Sequence, residues 1–170
     1  MKQYTKFPST YVSSAAKTIR DEDYVTRRQM AETTADRRML MRLAKDPDPR
    51  IRREVASNQL TPPIILDRLS KQSREDTLQI IARHSQAPVN VLERLAKHKN
   101  MMIRGEVARN LNTPIELLEE LAKDPEPYVR ARVAENRNLP ADLMTQLADD
   151  PNKNVQSRFT WSRRQGYHGN

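Results

Sequence analysis

Apolar residues recur along this chain with a period of 26 positions. Five blocks each open with a leucine, namely Leu43, Leu69, Leu95, Leu121 and Leu147. If that leucine is position 1, apolar residues return in most blocks at positions 9 and 13, one helical turn apart. A second apolar pair, at positions 23 and 24, continues into the next leucine at helical spacing. Each block is therefore predicted to form two short helices.

Proline and aspartate predict where these helices begin and end. Position 20 is proline in four blocks, at Pro62, Pro88, Pro114 and Pro140. Proline favours the first turn of a helix, and a threonine just before it, such as Thr61, is expected to act as the N-cap. Asp-Pro pairs such as Asp124-Pro125 are expected to end the second helix, because the residue before proline avoids the α region. We expect about two turns for the first helix and nearly three for the second.

A fixed period of this length is typical of stacked supersecondary units. The predicted fold is an all-α solenoid of about five and a half repeats of 26 residues. Small residues at positions 2 and 14 would let neighbouring backbones approach closely. The domain boundaries that we predict are a basic N-terminal segment (1–16), a repeat domain (17–164) and a C-terminal tail (165–170).

The two ends of the stack are expected to be atypical, because a terminal repeat has one face without a neighbour. Ser13–Asp23 is predicted to form a short capping helix, and Asp36 stands where the other units have proline. An eroded first helix is indicated by Tyr24, Val25, Met30 and Ala31. At the other end, Phe159 is expected in the core and Trp161 over its exposed end.

Composition excludes several kinds of site. The chain has 170 residues, no cysteine and three glycines, so it cannot form a disulfide framework, a thiolate metal site or a glycine-rich phosphate loop. It contains no apolar run long enough to span a membrane and no secretory signal, which predicts a cytoplasmic protein. The net charge of +8 resides in the two ends, since residues 21–150 hold 22 bases and 22 acids.

Arginines form the most suggestive pattern for ligand binding. Position 10 carries Arg52, Arg104 and Arg130, and the wider set of candidate ligand-binding residues is Arg52, Arg53, Arg104, Arg109, Arg130, Arg132, Arg158, Trp161, Arg163 and Arg164. These side chains could follow a phosphate backbone or an acidic peptide. Alternatively, each position-10 arginine pairs with an aspartate at position 4 or 6, forming an ion ladder between repeats. The sequence leaves both interpretations open.

Three further features have alternative interpretations. Asn58, Asn110 and Asn136 recur at position 16, where His84 replaces asparagine in the second block. This column either binds a ligand or ties the loop between the two helices, and the second is favoured. The loops at 72–76 and 98–102 depart from the pattern, through drift or because they form a contact site that exposes methionine. The C-terminal mixture of aromatic and basic residues could contact nucleic acid or simply close the stack.

The blocks resemble the leucine-rich repeat variant family of bacterial α-solenoids. The residues that carry the resemblance are Leu121-Ala122, Asp124-Pro125, Val129-Arg130, Val133-Ala134, Asn136 and Pro140, with Thr113-Pro114 and Leu117-Leu118 one block earlier. The resemblance implies two layers of short helices, partly α and partly 3₁₀, wound into a right-handed superhelix. Some members carry a four-iron cluster in a cysteine-bearing domain, which this chain cannot hold. HEAT-like repeats, a group that includes DNA glycosylases, are a more distant resemblance.

These observations predict a non-catalytic scaffold with no cofactor and no metal. The first hypothesis is that it binds a protein or peptide on its concave face. The second is a nucleic-acid-binding module that uses the arginine column and the basic ends. An enzyme resembling the glycosylases is the third hypothesis, and no catalytic constellation in the sequence supports it.

Overall fold

A computed structural model describes the backbone of residues 15–164 and the side chains of residues 23–158. This part of the chain consists of α-helices joined by short loops, without strands. In chain order the helices are α1 (Ala15–Thr33), α2 (Arg37–Leu43), α3 (Pro49–Ser57), α4 (Pro63–Ser70), α5 (Glu75–Arg83), α6 (Val89–Ala96), α7 (Met101–Arg109), α8 (Ile115–Leu121), α9 (Pro127–Ala134), α10 (Ala141–Ala148) and α11 (Lys153–Arg164).

The helices form two layers. Each odd-numbered helix packs against the next one, from α1 through α11, and the even-numbered helices lie beside them. Successive odd helices lie closer to one another than successive even helices do. Five helix pairs and the final α11 make five and a half units, so the predicted α-solenoid is confirmed.

The core is the seam that the repeated apolar positions predict. The leucines at position 1 are at most 4% exposed from Leu43 to Leu147, and positions 9 and 13 are buried in every repeat whose side chains are described. At about 25 cal/mol for each Å² of apolar surface removed from water, such side chains dominate the stability of each repeat. A cut between repeats would expose this seam, which explains why one unit cannot fold alone.

Side chains cap the N-termini of several helices, but the second helices of the regular repeats lack such a cap. Asp48 and Asn100 cap α3 and α7 by accepting hydrogen bonds from the backbone N–H two residues later, at 2.8 Å in each case. Asp36 caps α2 in the same way, at 2.8 Å from the N–H of Arg38. The second helices instead begin after the position-20 proline, which itself occupies the N-cap without a side-chain hydrogen bond.

The predicted capping role of the threonines is wrong. The hydroxyl of Thr61 donates to the carbonyl of Val55 at 2.6 Å, and that of Thr113 donates to Val107 at 2.6 Å. Both bonds reach back to the preceding helix and close the loop. Because the helices begin after the proline, they have seven or eight residues, about two turns rather than nearly three.

The N-terminal end also differs from the prediction. A single α1 of 19 residues replaces the separate capping helix and the eroded first helix. Of the four residues expected to echo the repeat, Ala31 is fully buried, whereas Val25 and Met30 are 63% and 40% exposed. They are exposed because the side of α1 facing away from α3 has no described neighbour. All the helices between residues 15 and 164 are α-helices, so the 3₁₀ helices that the resemblance implies do not appear there.

None of the described helices combines the length and the apolar character needed to cross a membrane.

Candidate ligand-binding face

The odd helices present a continuous surface opposite the core. In α3, α5, α7 and α9, positions 9, 13 and 14 are buried in the seam, whereas positions 8, 11, 12 and 15 lie on the other side of the helix, where Ile80 of α5 is also buried. We call the surface formed by positions 8, 11, 12 and 15 of the α3, α5, α7 and α9 repeats, together with positions 8, 11 and 12 of α11, the odd-helix face. In the α9 repeat these positions are Tyr128, Ala131, Arg132 and Glu135, the residue just after the helix, and all four are half-buried.

The position-10 arginines lie outside this face and bond to the loops, and two of them form the predicted ion ladder. Arg104 binds the carboxylate of Asp124 in the next repeat through two bonds, with Nε–Oδ2 and Nη2–Oδ1 distances of 2.7 and 3.0 Å. Arg130 binds Asp150 through the same atoms at 2.7 and 3.1 Å. The Nη1 group of each arginine also donates to two carbonyls of its own loop. Each guanidinium therefore fastens its loop to the following repeat.

These ion pairs are partly buried, and the pKa values of their side chains are shifted. The side chains of Arg104 and Arg130 are 12% and 13% exposed. The hydrogen bonds to Asp124 and Asp150 raise the pKa of the two guanidinium groups, against the opposing effect of burial. The bond from Arg130 lowers the pKa of Asp150. A role for these arginines in ligand binding remains a prediction, and a ligand would have to compete with these carboxylates.

The ladder is interrupted in the middle of the stack. Arg52 donates to the carbonyls of Asp46 and Pro47 at 2.6 and 3.0 Å, but its equivalent carboxylate is missing because position 4 of the next block is Gln72. Within residues 23–158, Arg52 forms no ion pair with an acid. One block later Leu78 replaces the arginine and His98 the aspartate; Leu78 is 8% exposed. Towards the N-terminus the ladder resumes, with Arg27 Nε 2.9 Å from Asp46 Oδ2.

Three of the predicted arginines meet at one carboxylate that the sequence did not single out. Glu135, whose side chain is 10% exposed, lies 3.2 Å from Arg109 and 2.8 Å from Arg132. It lies 3.4 Å from Arg158 through its other oxygen. The arginines come from α7, α9 and α11, so the cluster spans three consecutive odd helices. We call these four residues the Glu135 cluster.

An aromatic side chain lies beside the Glu135 cluster. The guanidinium carbon of Arg132 is 4.9 Å from the centre of the Tyr128 ring, a cation–π contact. The ring lies across α7 because position 105 is glycine: a Cβ there would be 2.5 Å from Tyr128 Cε1. Burial lowers the pKa of Arg132, but its hydrogen bond to Glu135 and its interaction with Tyr128 outweigh burial, so the net pKa is raised.

An open pocket of about 600 Å³ extends from Tyr128 towards α11. Pro127, Tyr128 and Ala131 form its apolar wall. Asn154, Ser157 and Arg158 form the polar wall. The pocket therefore joins an aromatic surface to one arginine of the Glu135 cluster.

On the N-terminal part of the odd-helix face, Arg53 has two acids nearby. Arg53 lies 3.7 Å from Glu54 and 4.0 Å from Asp76. Glu54 is also 3.7 Å from Arg28, which in turn pairs with Glu32 at 2.9 Å. The candidate Arg53 is thus placed among acids, unlike Arg109, Arg132 and Arg158, which share one.

The asparagine column has a structural role. The amide of Asn110 donates to the carbonyls of Ala82 and His84 in the previous repeat, at 2.6 and 3.0 Å, and Asn58 and Asn136 make equivalent pairs of bonds. Each asparagine is at most 6% exposed, so the favoured interpretation, in which the column ties the loops, agrees with the structure. His84 takes the same place, with Nε2 3.0 Å from the carbonyl of Asn58.

A second column of amides went unrecognised in the sequence. The side-chain amides at position 18 donate to carbonyls in the same loop of the preceding repeat. The bonds of Gln86, Asn112 and Asn138 measure 3.2, 2.7 and 2.8 Å. The recurrence of amides at position 18 in three blocks was the signal that could have identified it.

The remaining candidate residues are the methionines of the third block, possible metal ligands and the C-terminal residues of α11. Met101 and Met102 in the irregular third block are 39% and 38% exposed, as the contact-site interpretation requires. Across the described side chains, no group of three or more histidine or acidic residues is arranged to hold a metal ion. Trp161, Arg163 and Arg164 belong to α11, but their side chains and that of Phe159 lie outside the described residues, as do the segments 1–14 and 165–170.

No protein-family model matches the chain, and no curated protein matches it. Among solved structures, the chain is similar to one described as a leucine-rich repeat variant with a novel repetitive protein structural motif. The two are 22% identical, the match covers 82% of this chain and 71% of the other, and the TM-score is 0.40. That description names the family that the repeat pattern resembles, while the α-solenoid assignment rests on the helices and packing described above.

Proposed function

We propose that this chain is a non-catalytic scaffold that binds a protein or peptide across the odd-helix face. Solenoids characteristically offer extended surfaces of this kind. We infer that the odd helices line the concave side, because helices on the inside of a curved stack must lie closer together, and these do.

The observation that carries the proposal is the mixed chemistry of the C-terminal part of this face. Met102 and Tyr128 occupy position 8 of successive odd helices and provide apolar and aromatic surface. The Glu135 cluster places three guanidinium groups next to them. Protein interfaces are enriched in aromatic residues, methionine and arginine, and this part of the face combines all three.

Selection from a displayed library of random peptides tests the proposal. Selected peptides should bind wild-type protein and lose about tenfold or more in affinity when Met102→Ala removes an apolar contact on the odd-helix face. Ile64→Ala is the matched control, because Ile64 is also exposed and apolar but lies on α4 in the other layer. Loss of affinity in both variants, or in neither, would contradict binding at the proposed face.

The second candidate is nucleic-acid binding, which the basic ends favour. Residues 1–20 carry four bases and no acid, and residues 151–170 carry another four. Titration with duplex DNA at increasing salt separates the two candidates. Affinity in the micromolar range at physiological salt, falling steeply as salt rises, would favour nucleic acid. Absence of binding at low salt would eliminate it.

A further inference from the structure

Guanidinium groups outnumber carboxylates on the C-terminal part of the odd-helix face. Arg109, Arg132 and Arg158 share the carboxylate of Glu135. Glu106 is the other acid on this part of the face, and among the described side chains it forms no ion pair within 4.0 Å. Even if it is counted, three cations face two anions. Each guanidinium has five N–H donors, so one carboxylate cannot satisfy all of them.

The surplus donors remain within reach of a partner. Arg109 and Arg158 are 49% and 55% exposed, whereas Arg132 is 25% exposed and stacks on Tyr128. Arg109 and Arg158 therefore lie on either side of a more rigid centre. A second carboxylate could bind to these outer guanidinium groups while Arg132 keeps its bond to Glu135.

The pocket next to the Glu135 cluster adds a requirement for an apolar group. Its apolar wall consists of Pro127, the Tyr128 ring and Ala131, and Arg158 lines its polar side. A volume of about 600 Å³ accommodates a large side chain, with room to spare. An occupant that satisfies the whole site must carry an apolar group close to an anion.

We infer that the odd-helix face binds an acidic segment of a partner protein, an inference that rests on the function proposed above. One glutamate or aspartate of that segment bonds to Arg109 and Arg158, and a neighbouring leucine or aromatic side chain enters the Tyr128 pocket. A carboxylate matches the planar guanidinium group in a two-bonded geometry. A nucleic-acid backbone fits less well, because it would bring a row of phosphates past Glu106 and Glu135 and leave the apolar wall unused.

A labelled peptide with glutamates flanking one leucine and one phenylalanine tests this inference, with fluorescence anisotropy as the measurement. Wild-type protein should bind it at least about tenfold more tightly than the same peptide with glutamine in place of glutamate, since the charged bonds would be weakened. Equal affinity for the two peptides would overturn the inference, as would failure of wild-type protein to bind the acidic one.

Three variants locate the site. Arg109→Ala should weaken binding of the acidic peptide about tenfold. Arg53→Ala should leave it unchanged, because Arg53 is similarly exposed on α3 of the same face but lies among acids. Glu135→Gln should strengthen binding, since it removes the anion that competes for the guanidinium groups. Equal losses in both arginine variants, or weaker binding in Glu135→Gln, would contradict the inference.

The library selection described above separates failure of this inference from failure of the proposed function. Selected peptides that lack acidic residues but still depend on Met102 would leave the function standing and overturn the acidic specificity. If no selected peptide depended on the odd-helix face, both would fail. Tighter binding of duplex DNA than of the acidic peptide, with the same dependence on Arg109, would replace the protein partner by nucleic acid.

Discussion

The joints between repeats are built differently in the middle of the stack and in its C-terminal part. From α7 to α11, each joint has both the leucine seam and a bidentate ion pair, Arg104–Asp124 or Arg130–Asp150. From α3 to α7 the seam is equally buried, but Arg52 lacks its carboxylate and Leu78 replaces the arginine. The stack continues through both regions, so joining repeats does not require the ion pair. The ion pair adds to a joint that already exists.

Truncating the seam should cost the most, and equally in the two regions. Leu69→Ala and Leu121→Ala each remove a side chain that is 1% or 3% exposed, and each should lower the free energy of unfolding by about 2–5 kcal/mol. Chemical denaturation monitored by circular dichroism measures both. A large effect for Leu121→Ala with almost none for Leu69→Ala would show that the two regions do not share one core.

Removing the arginine should have a smaller effect that differs between the regions. Arg130→Ala should cost about 2–3 kcal/mol, because it leaves the carboxylate of Asp150, only 6% exposed, without its main partner. Arg52→Ala loses only the bonds to its own loop carbonyls and should cost about 1 kcal/mol. Denaturant midpoints of the two variants provide the comparison. Equal costs would mean that the carboxylate partner contributes nothing.

The contribution of Asp150 to the stability of the fold should decrease as the pH falls. Its pKa is lowered from 3.8, first by the hydrogen bond from Arg130, so its ionised form stabilises the fold above that value. This stabilisation should disappear as the pH falls through the lowered pKa. Wild-type protein should therefore be more stable than Asp150→Asn at neutral pH, and the difference should shrink below about pH 4. A difference that is constant down to pH 2 would exclude ionisation as its cause.

Completing the ladder in the middle of the stack should have the smallest effect, and it should be favourable. Gln72→Asp places a carboxylate where the repeat geometry presents it to Arg52, and should stabilise the protein by about 0.5–1 kcal/mol. The same substitution in the Arg52→Ala background removes the new partner and serves as the control. A gain of equal size in that background would come from the loop rather than from an ion pair.

Much of the fold was predictable because it repeats. The leucine seam, the two helices in each unit and the alternative of an ion ladder all follow from residues that return every 26 positions. The prediction that the threonines cap the second helices was wrong because each hydroxyl has two backbone partners nearby. It bonds to a carbonyl of the preceding helix rather than to an N–H at the start of the next one.

The candidate site was only half predictable. Arg109, Arg132 and Arg158 stood out as bases, but Arg109 is at position 15 whereas the other two are at position 12. Their common partner Glu135 replaces Ser57, Arg83 and Arg109 of the other blocks. The 26-residue period links Arg132 with Arg158 and Arg109 with Glu135, but it does not show that positions 12 and 15 of neighbouring repeats meet. Their convergence depends on how successive helices are rotated against each other, and on the room that Gly105 leaves for Tyr128.

The central claim is that the seam joins every repeat, whereas the ion pair reinforces only the joints in which an arginine is followed by an aspartate in the next repeat. A pair of double-mutant cycles tests this claim most directly. The cycle of Arg130→Ala and Asp150→Ala should give a coupling energy of about 1–3 kcal/mol. The cycle of Arg52→Ala and Gln72→Ala should give a value near zero. Equal coupling in the two cycles, or none in the first, would contradict the account.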